Sequence, residues 1–291
     1  LACQPFFPLP SLPGDLWTEQ WVLQRLRRKA HTWQERLEVL HHNWEELLWE
    51  SILRAQGQGL NGLPFQLLGR ALPWKFLTRW RFDQEKLLAL LFGQAGLLTA
   101  QDAYAQTLAK THRALVHALP DQPLPSYLWK FGGVRPSAWP SIKLPRLAIM
   151  AQEIQPLTEL LQKQAPEILA ATWSQALPDY WQKHYHFAKP RQTKASGQSN
   201  HAWHGTLING IAPILFLRAE LRNQGFAHQQ VLDWLAQLPP ENNRITRLWK
   251  NSGIPMRNAL DSQAALERYE RACQKKACMD CAIGKHLVFG I

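Results

Sequence analysis

The stretch DQEKLLALLFGQAGLL, residues 83–98, is apolar on nearly every side and predicts a central, buried helix. Residues 44–55 repeat their apolar side chains at helical spacing, and Asn43 with Glu46 predicts a capping box at the start of that helix. No segment shows the sustained alternation of β-branched residues that is typical of a sheet. The sequence therefore predicts an all-α protein, a multi-helix array with long Pro/Gly-rich loops.

Proline and glycine divide the chain into four predicted parts. Residues 1–14 form a proline-rich, extended lead, and residues 15–120 form an N-terminal helical subdomain. Several prolines and the pair Gly132-Gly133 mark residues 121–140 as a junction. Residues 141–291 form a C-terminal helical subdomain that carries a cysteine cluster.

Composition and charge limit the classes of function. Hydrophobic residues make up 46% and charged residues 19% of the 291 residues, which is typical of a globular and not of a disordered protein. The net charge of +11 favours anionic partners, nucleic acid before an acidic membrane surface. The longest apolar run, residues 208–217, is about half as long as a membrane span. The proline-rich start lacks the pattern of a signal peptide, so a cytoplasmic location is expected.

Three cysteines near the C-terminus, spaced C-x4-C-x2-C, are typical of a metal site. Cys273, Cys278 and Cys281 are one ligand short of a closed four-ligand site. Cys3 as the fourth ligand would suit zinc or an iron–sulfur cluster, whereas His286 would indicate zinc. The alternative is three reduced cysteines that pack as small hydrophobic side chains.

Arginines in several segments are candidates for phosphate contacts. The loop around Arg135 mixes aromatic residues, cations and glycines, and Arg244 and Arg247 fall on one helical face together with Lys250. The alternatives are that the loop packs helices together and that the face is merely solvated. The full set of candidates is Arg25, Arg28, Arg135, Arg146, Arg244 and Arg247.

The sequence contains no recognisable catalytic motif. It has no Ser-His-Asp order, no glycine-rich phosphate-binding loop and no paired general acid and base. A rival function from another class is a metal-stapled scaffold that binds a protein partner through a groove lined by some of the 14 tryptophans. A third is a hydrolase whose site lies in the region of His184 and His204.

Five phrases resemble a bacterial family known as domain of unknown function 2851. They are NWEELLWESILR (43–54), LLALLFGQAGLL (87–98), WKFGGVRPSAWPSIKLPRLA (129–148), LINGIAPILF (207–216) and CMDCAIG (278–284). The resemblance implies an additional β-rich N-terminal portion, similar to PD-(D/E)xK nucleases, which we expect to be missing here together with its catalytic residues. The arrangement of one cysteine near the start, Cys3, and three near the C-terminus is similar to the cysteines that hold an iron–sulfur cluster in some recombination nucleases. The resemblance thus implies a helical region that holds nucleic acid for a nuclease-like domain.

Overall fold

The computed structural model describes residues 14–57, 59–99, 101–119, 121–154, 156, 159, 165–192 and 201–289. These residues are predominantly helical, which confirms the all-α prediction. Residues 1–13, which make up nearly all of the predicted extended lead, lie outside the described residues. No helix in the described ranges is both long and apolar enough to cross a bilayer.

The chain groups into two compact units. The C-terminal unit combines Leu1–Glu35 with Leu215–Ile291, and the central unit is Arg36–Ile214. This grouping follows contacts in space, whereas the four-part division above follows proline and glycine along the chain, and that division stays a prediction.

The central unit begins within α1, which runs through Gly14–Val39. Its other helices and strands are α2 Trp44–Gly57, α3 Gly62–Ala71, α4 Trp74–Leu77, α5 Gln84–Gln94, α6 Ala103–Leu115, α7 Pro140–Glu153, α8 Pro166–Trp173, α9 Asp179–Lys183, β1 His184–His186, β2 Lys189–Pro190 and α10 His201–Thr206. The strands form a small antiparallel hairpin, an addition to the predicted all-helical pattern.

The predicted central helix is α5, where every residue from Leu87 to Gln94 is buried. Asp83 starts it by accepting the backbone N–H of Lys86 at 3.0 Å. Helix α5 packs on α6 and α7. A helix that has neighbours on several sides needs apolar residues all round, which explains the sequence pattern.

Helix α2 confirms half of its predicted capping box. The Asn43 side chain accepts the backbone N–H of Glu46 at 3.3 Å. The Glu46 carboxylate instead accepts the backbone N–H groups of Trp74 and Lys75 at 2.6 and 2.8 Å, at the start of α4. One acidic residue of α2 thus caps a second helix.

A π-helical turn, Leu207–Ile211, follows α10 and packs on α2. Ser51 donates its hydroxyl to the Gly210 carbonyl oxygen at 2.7 Å. A Cβ atom on Gly210 would lie 3.0 Å from the Cβ of Ala55, so glycine permits the two helices to approach this closely.

The C-terminal unit contains the first part of α1, α11 Ala212–Leu221 from Leu215 onward, α12 Gly225–Ala236, α13 Arg244–Asn251, α14 Ala259–Arg268, a π-helical turn Tyr269–Cys273 and α15 Ala282–Phe289. Asn243 caps α13 in a complete capping box with Thr246. Trp249 of α13 is 1% exposed and donates its indole N–H to the carbonyl oxygen of Ala265 in α14 at 3.1 Å.

Candidate nucleic-acid interface

The cysteines of the C-terminal unit lie around an apolar cluster, which we call the Trp249 cluster. Its buried members are Trp249, Ala265, Ala272, Cys281 and Ile283. Cys281 is thus part of the cluster, and Cys273 packs against it. Cys278 is half-buried in the 3-10 turn Cys278–Asp280, which packs against α15.

A metal site does not assemble within the described part of the chain. No group of three or more His, Cys, Asp or Glu side chains comes together there to hold a metal ion. Cys273 and Cys281 instead pack as small hydrophobic side chains, as in the alternative interpretation. Cys3 and the side chain of His286 lie outside the described residues. The zinc or iron–sulfur site therefore stays a prediction.

Arg25 and Arg28 of α1 bind carboxylates within the C-terminal unit. Arg25 Nη1 lies 3.0 Å from Glu267 Oε2 and 3.2 Å from Glu270 Oε2, and its side chain is 9% exposed. Arg28 Nη2 lies 2.7 Å from Glu270 Oε2, while its Nε donates to Glu267 Oε1 at 3.0 Å. Carboxylates of the same unit therefore engage both guanidinium groups.

Glu267 is the centre of this ion-pair network. Burial would raise the pKa of its carboxyl, but hydrogen bonds and charges of Arg28 and Arg25 outweigh burial and lower the pKa to about 2. In turn, the hydrogen bond to Glu267 raises the pKa of Arg28. No sequence pattern predicts this pairing, because the partners are more than 200 residues apart.

Two of the predicted phosphate contacts, Arg135 in the loop before α7 and Arg146 within α7, differ in exposure. Trp129 is 5% exposed and donates its indole N–H to the Ala95 carbonyl oxygen at 2.7 Å, so this part of the loop serves packing. Arg135 is exposed. Arg146, within α7, is half-buried, and its Nε has neither solvent nor a hydrogen-bond partner in the described structure.

Helix α13 presents the predicted cationic stripe. Arg244, Arg247 and Lys250 are exposed, while Thr246 and Trp249 on the opposite side are buried. Among the described residues these three cations form no ion pair. The stripe is therefore available to an anionic partner.

The tryptophans give no support to an exposed docking groove. Every tryptophan whose side chain the structure describes is buried or half-buried. Trp49, Trp173, Trp181, Trp203 and Trp249 are among the largest fully buried side chains. A protein partner that binds through a tryptophan groove stays a prediction.

His184 and His204, on either side of residues 193–200, contact different neighbours in the described structure. His204 Nε2 lies 3.1 Å from Glu167 Oε1. His184, in β1, stacks on the ring of Tyr180 at 4.0 Å and bonds through Nδ1 to the Tyr180 carbonyl oxygen at 2.9 Å. These contacts place His184 and His204 in separate environments.

A family model described as "Protein of unknown function (DUF2851)" matches residues 1–244. The chain belongs to the DUF2851 family. The match includes the family phrases up to residue 216 but ends before the cysteine phrase at 278–284. It does not bear out the expectation that an N-terminal portion is missing. Neither a search of curated proteins nor a search of solved structures gave a match.

Proposed function

We propose that this DUF2851 protein binds nucleic acid through the exposed cations of its C-terminal unit. This C-terminal basic surface consists of Arg244, Arg247, Lys250, Lys275, Lys276 and Lys285, all exposed. Its residues lie on α13, on the turn after Cys273 and on α15, and all three segments border the Trp249 cluster.

The proposal rests on one observation: most carboxylates of this region form ion pairs inside the fold. Asp261 binds Arg257 at 2.9 Å, and Glu267 and Glu270 bind the arginines of α1. Glu267 is 1% and Asp261 is 7% exposed, so internal ion pairs consume most of the negative charge. Of the carboxylates between residues 244 and 289, Asp280 is exposed and Glu270, which binds Arg25 and Arg28, is partly exposed. The outer surface of these segments is consequently strongly cationic.

Exposed, unpaired cations attract the phosphates of nucleic acid and release the counterions condensed there. The α13 cations recur every three residues along one face, so they can contact neighbouring phosphates without reading bases. The proposal therefore predicts binding that depends steeply on salt and weakly on sequence.

The test is fluorescence-anisotropy titration of a labelled DNA duplex over a range of salt concentrations. A plot of the logarithm of the binding constant against the logarithm of the salt concentration should be linear. Its negative slope should be about 0.9 for each phosphate contacted. A triple variant, Arg244→Gln with Arg247→Gln and Lys250→Gln, should reduce this slope by about 2 to 3.

A matched control removes three exposed cations elsewhere, Arg79→Gln with Arg113→Gln and Arg222→Gln. Both triple variants change the net charge equally, but the control should keep the slope of the original protein. Equal losses in the two triples would show that net charge alone drives binding, and salt-independent binding would also overturn the proposal.

A further inference from the structure

Helix α7 and the hairpin bring cations of the central unit together: Arg146 interacts electrostatically with Lys143 and with Arg191, and among the described residues no carboxylate pairs with any of the three. Helix α7 carries Lys143 and Arg146 one turn apart, so both point to the same side of the helix. The hairpin packs on α7, where Ser141 donates its hydroxyl to the Tyr185 carbonyl oxygen at 2.6 Å. Arg191 follows the second strand directly. This arrangement brings residues separated by more than 40 positions into one neighbourhood.

Arg191 is held in a fixed orientation. Its Nε donates to the His184 carbonyl oxygen at 3.1 Å, and its guanidinium carbon lies 4.1 Å from the centre of the Tyr185 ring. These contacts leave other nitrogens of the cluster unused. Arg191 Nη2 and Arg146 Nε are inaccessible to solvent and have no hydrogen-bond partner in the described structure. A buried, unsatisfied donor of this kind costs free energy unless an acceptor binds it.

The cations act on one another. Burial, and second the charge of Arg146, lower the pKa of Lys143 to about 8. Burial likewise lowers the pKa of Arg146, with the charge of Arg191 as the second cause. The segments outside the described ranges contain no aspartate or glutamate, so they supply no side-chain countercharge.

We propose that Lys143, Arg146 and Arg191 form a binding site for a phosphate group. The planar arginine forks match the oxygen pairs of a tetrahedral anion, while lysine adds a mobile ammonium with three donors. A phosphate dianion neutralises more of three positive charges than a carboxylate does. This site lies in the central unit, shares no residue with the C-terminal basic surface and does not rest on its function.

The test uses inorganic phosphate as the probe and follows the thermal unfolding midpoint by circular dichroism. Phosphate should raise the midpoint in a saturable manner, compared with sodium chloride at equal ionic strength. Arg146→Gln and Arg191→Gln should each weaken phosphate binding at least tenfold. The double variant Arg244→Gln with Arg247→Gln should retain the full response, because it changes only the other surface.

A second readout separates ligand binding from a structural role. Without phosphate, Arg146→Gln should be at least as stable as the original protein, because it removes a cation that is repelled by its neighbours. Loss of stability together with an unchanged phosphate response would overturn the proposal, as would a response no larger than that to chloride.

Two further probes identify the source of the phosphate group. The first probe is a nucleoside 5′-monophosphate, and the second is an oligonucleotide without terminal phosphates. If the monophosphate binds and the oligonucleotide does not, the ligand of the site is a phosphate monoester. Binding of that oligonucleotide, lost in Arg146→Gln, would assign the site to backbone phosphodiesters. Failure of both these probes and of inorganic phosphate would reject the site while leaving the C-terminal basic surface untouched.

Discussion

Replacing Glu267 by glutamine should destabilise the C-terminal unit. The carboxylate is 2% exposed and bonds to both Arg25 and Arg28. Glu267→Gln keeps the size of the side chain and one hydrogen-bond acceptor but removes its charge. Among the described residues, the nearly buried Arg25 would then keep Glu270, 3.2 Å away, as its one charged partner.

The structure sets the magnitude of this effect. Lowering the pKa of Glu267 from its usual 4.5 to about 2 corresponds to roughly 3 kcal/mol of stabilisation at pH 7. Removing one partner of a fully buried pair typically costs about 3 to 5 kcal/mol. We expect a loss of about 2 to 3 kcal/mol, because Glu270 remains and the new amide still accepts a hydrogen bond.

Urea unfolding followed by circular dichroism measures this loss, with Glu270→Gln as the control. The Glu270 side chain is 38% exposed, so its replacement should cost less than about 1 kcal/mol. Because the pKa of Glu267 is lowered by folding, its contribution is complete above about pH 4.5 and disappears as the pH falls through about 2. A loss below about 1 kcal/mol at pH 7, or a difference that does not shrink over this pH interval, would refute the reasoning.

Three further substitutions test other parts of the fold. Asn43→Ala removes the side-chain cap of α2 and should cost about 1 kcal/mol in urea unfolding, whereas an unchanged midpoint would contradict the capping role. Gly96→Ala should cost at least about 2 kcal/mol in the same assay, because Gly96 has φ +67° and a Cβ atom would lie 1.9 Å from the Leu124 carbonyl oxygen. Burial raises the pKa of Tyr104 and of Tyr180 to about 12, so stability that is complete below pH 10 should be lost as the pH rises towards 12. In a phenolate absorbance titration, Tyr180→Phe should remove signal near pH 12, and a loss near pH 10 would contradict the raised pKa.

Local features of the fold were predictable from the sequence. The apolar residues of α5 predict a helix with neighbours on several sides, and Asn43 predicts the start of α2, since both signals come from adjacent residues. The hairpin at 184–190 was missed, because strands of three and two residues are too short to show a period of two. Glu46 caps a helix that begins 28 residues later, and only the packing of α4 reveals that role.

The roles of the cations were less predictable, because sequence does not show which carboxylates lie nearby. Arg25 and Arg244 are both arginines at helical spacing in basic segments. Folding brings Glu267 against the first and leaves the second exposed. Arg146 was predicted as a phosphate contact, but its neighbour Arg191 comes from a hairpin that the sequence did not reveal. Long-range contacts therefore decide which cations can meet a ligand.

The buried tryptophans of the described structure also give the protein an internal fluorescence reporter. Indoles that are shielded from water fluoresce at shorter wavelengths than exposed ones, so the folded protein should emit a blue-shifted spectrum. The emission should move to longer wavelengths when the tryptophans meet solvent. Acrylamide, a neutral quencher, suits such measurements better than iodide, because the net charge of +11 would concentrate an anionic quencher around the surface.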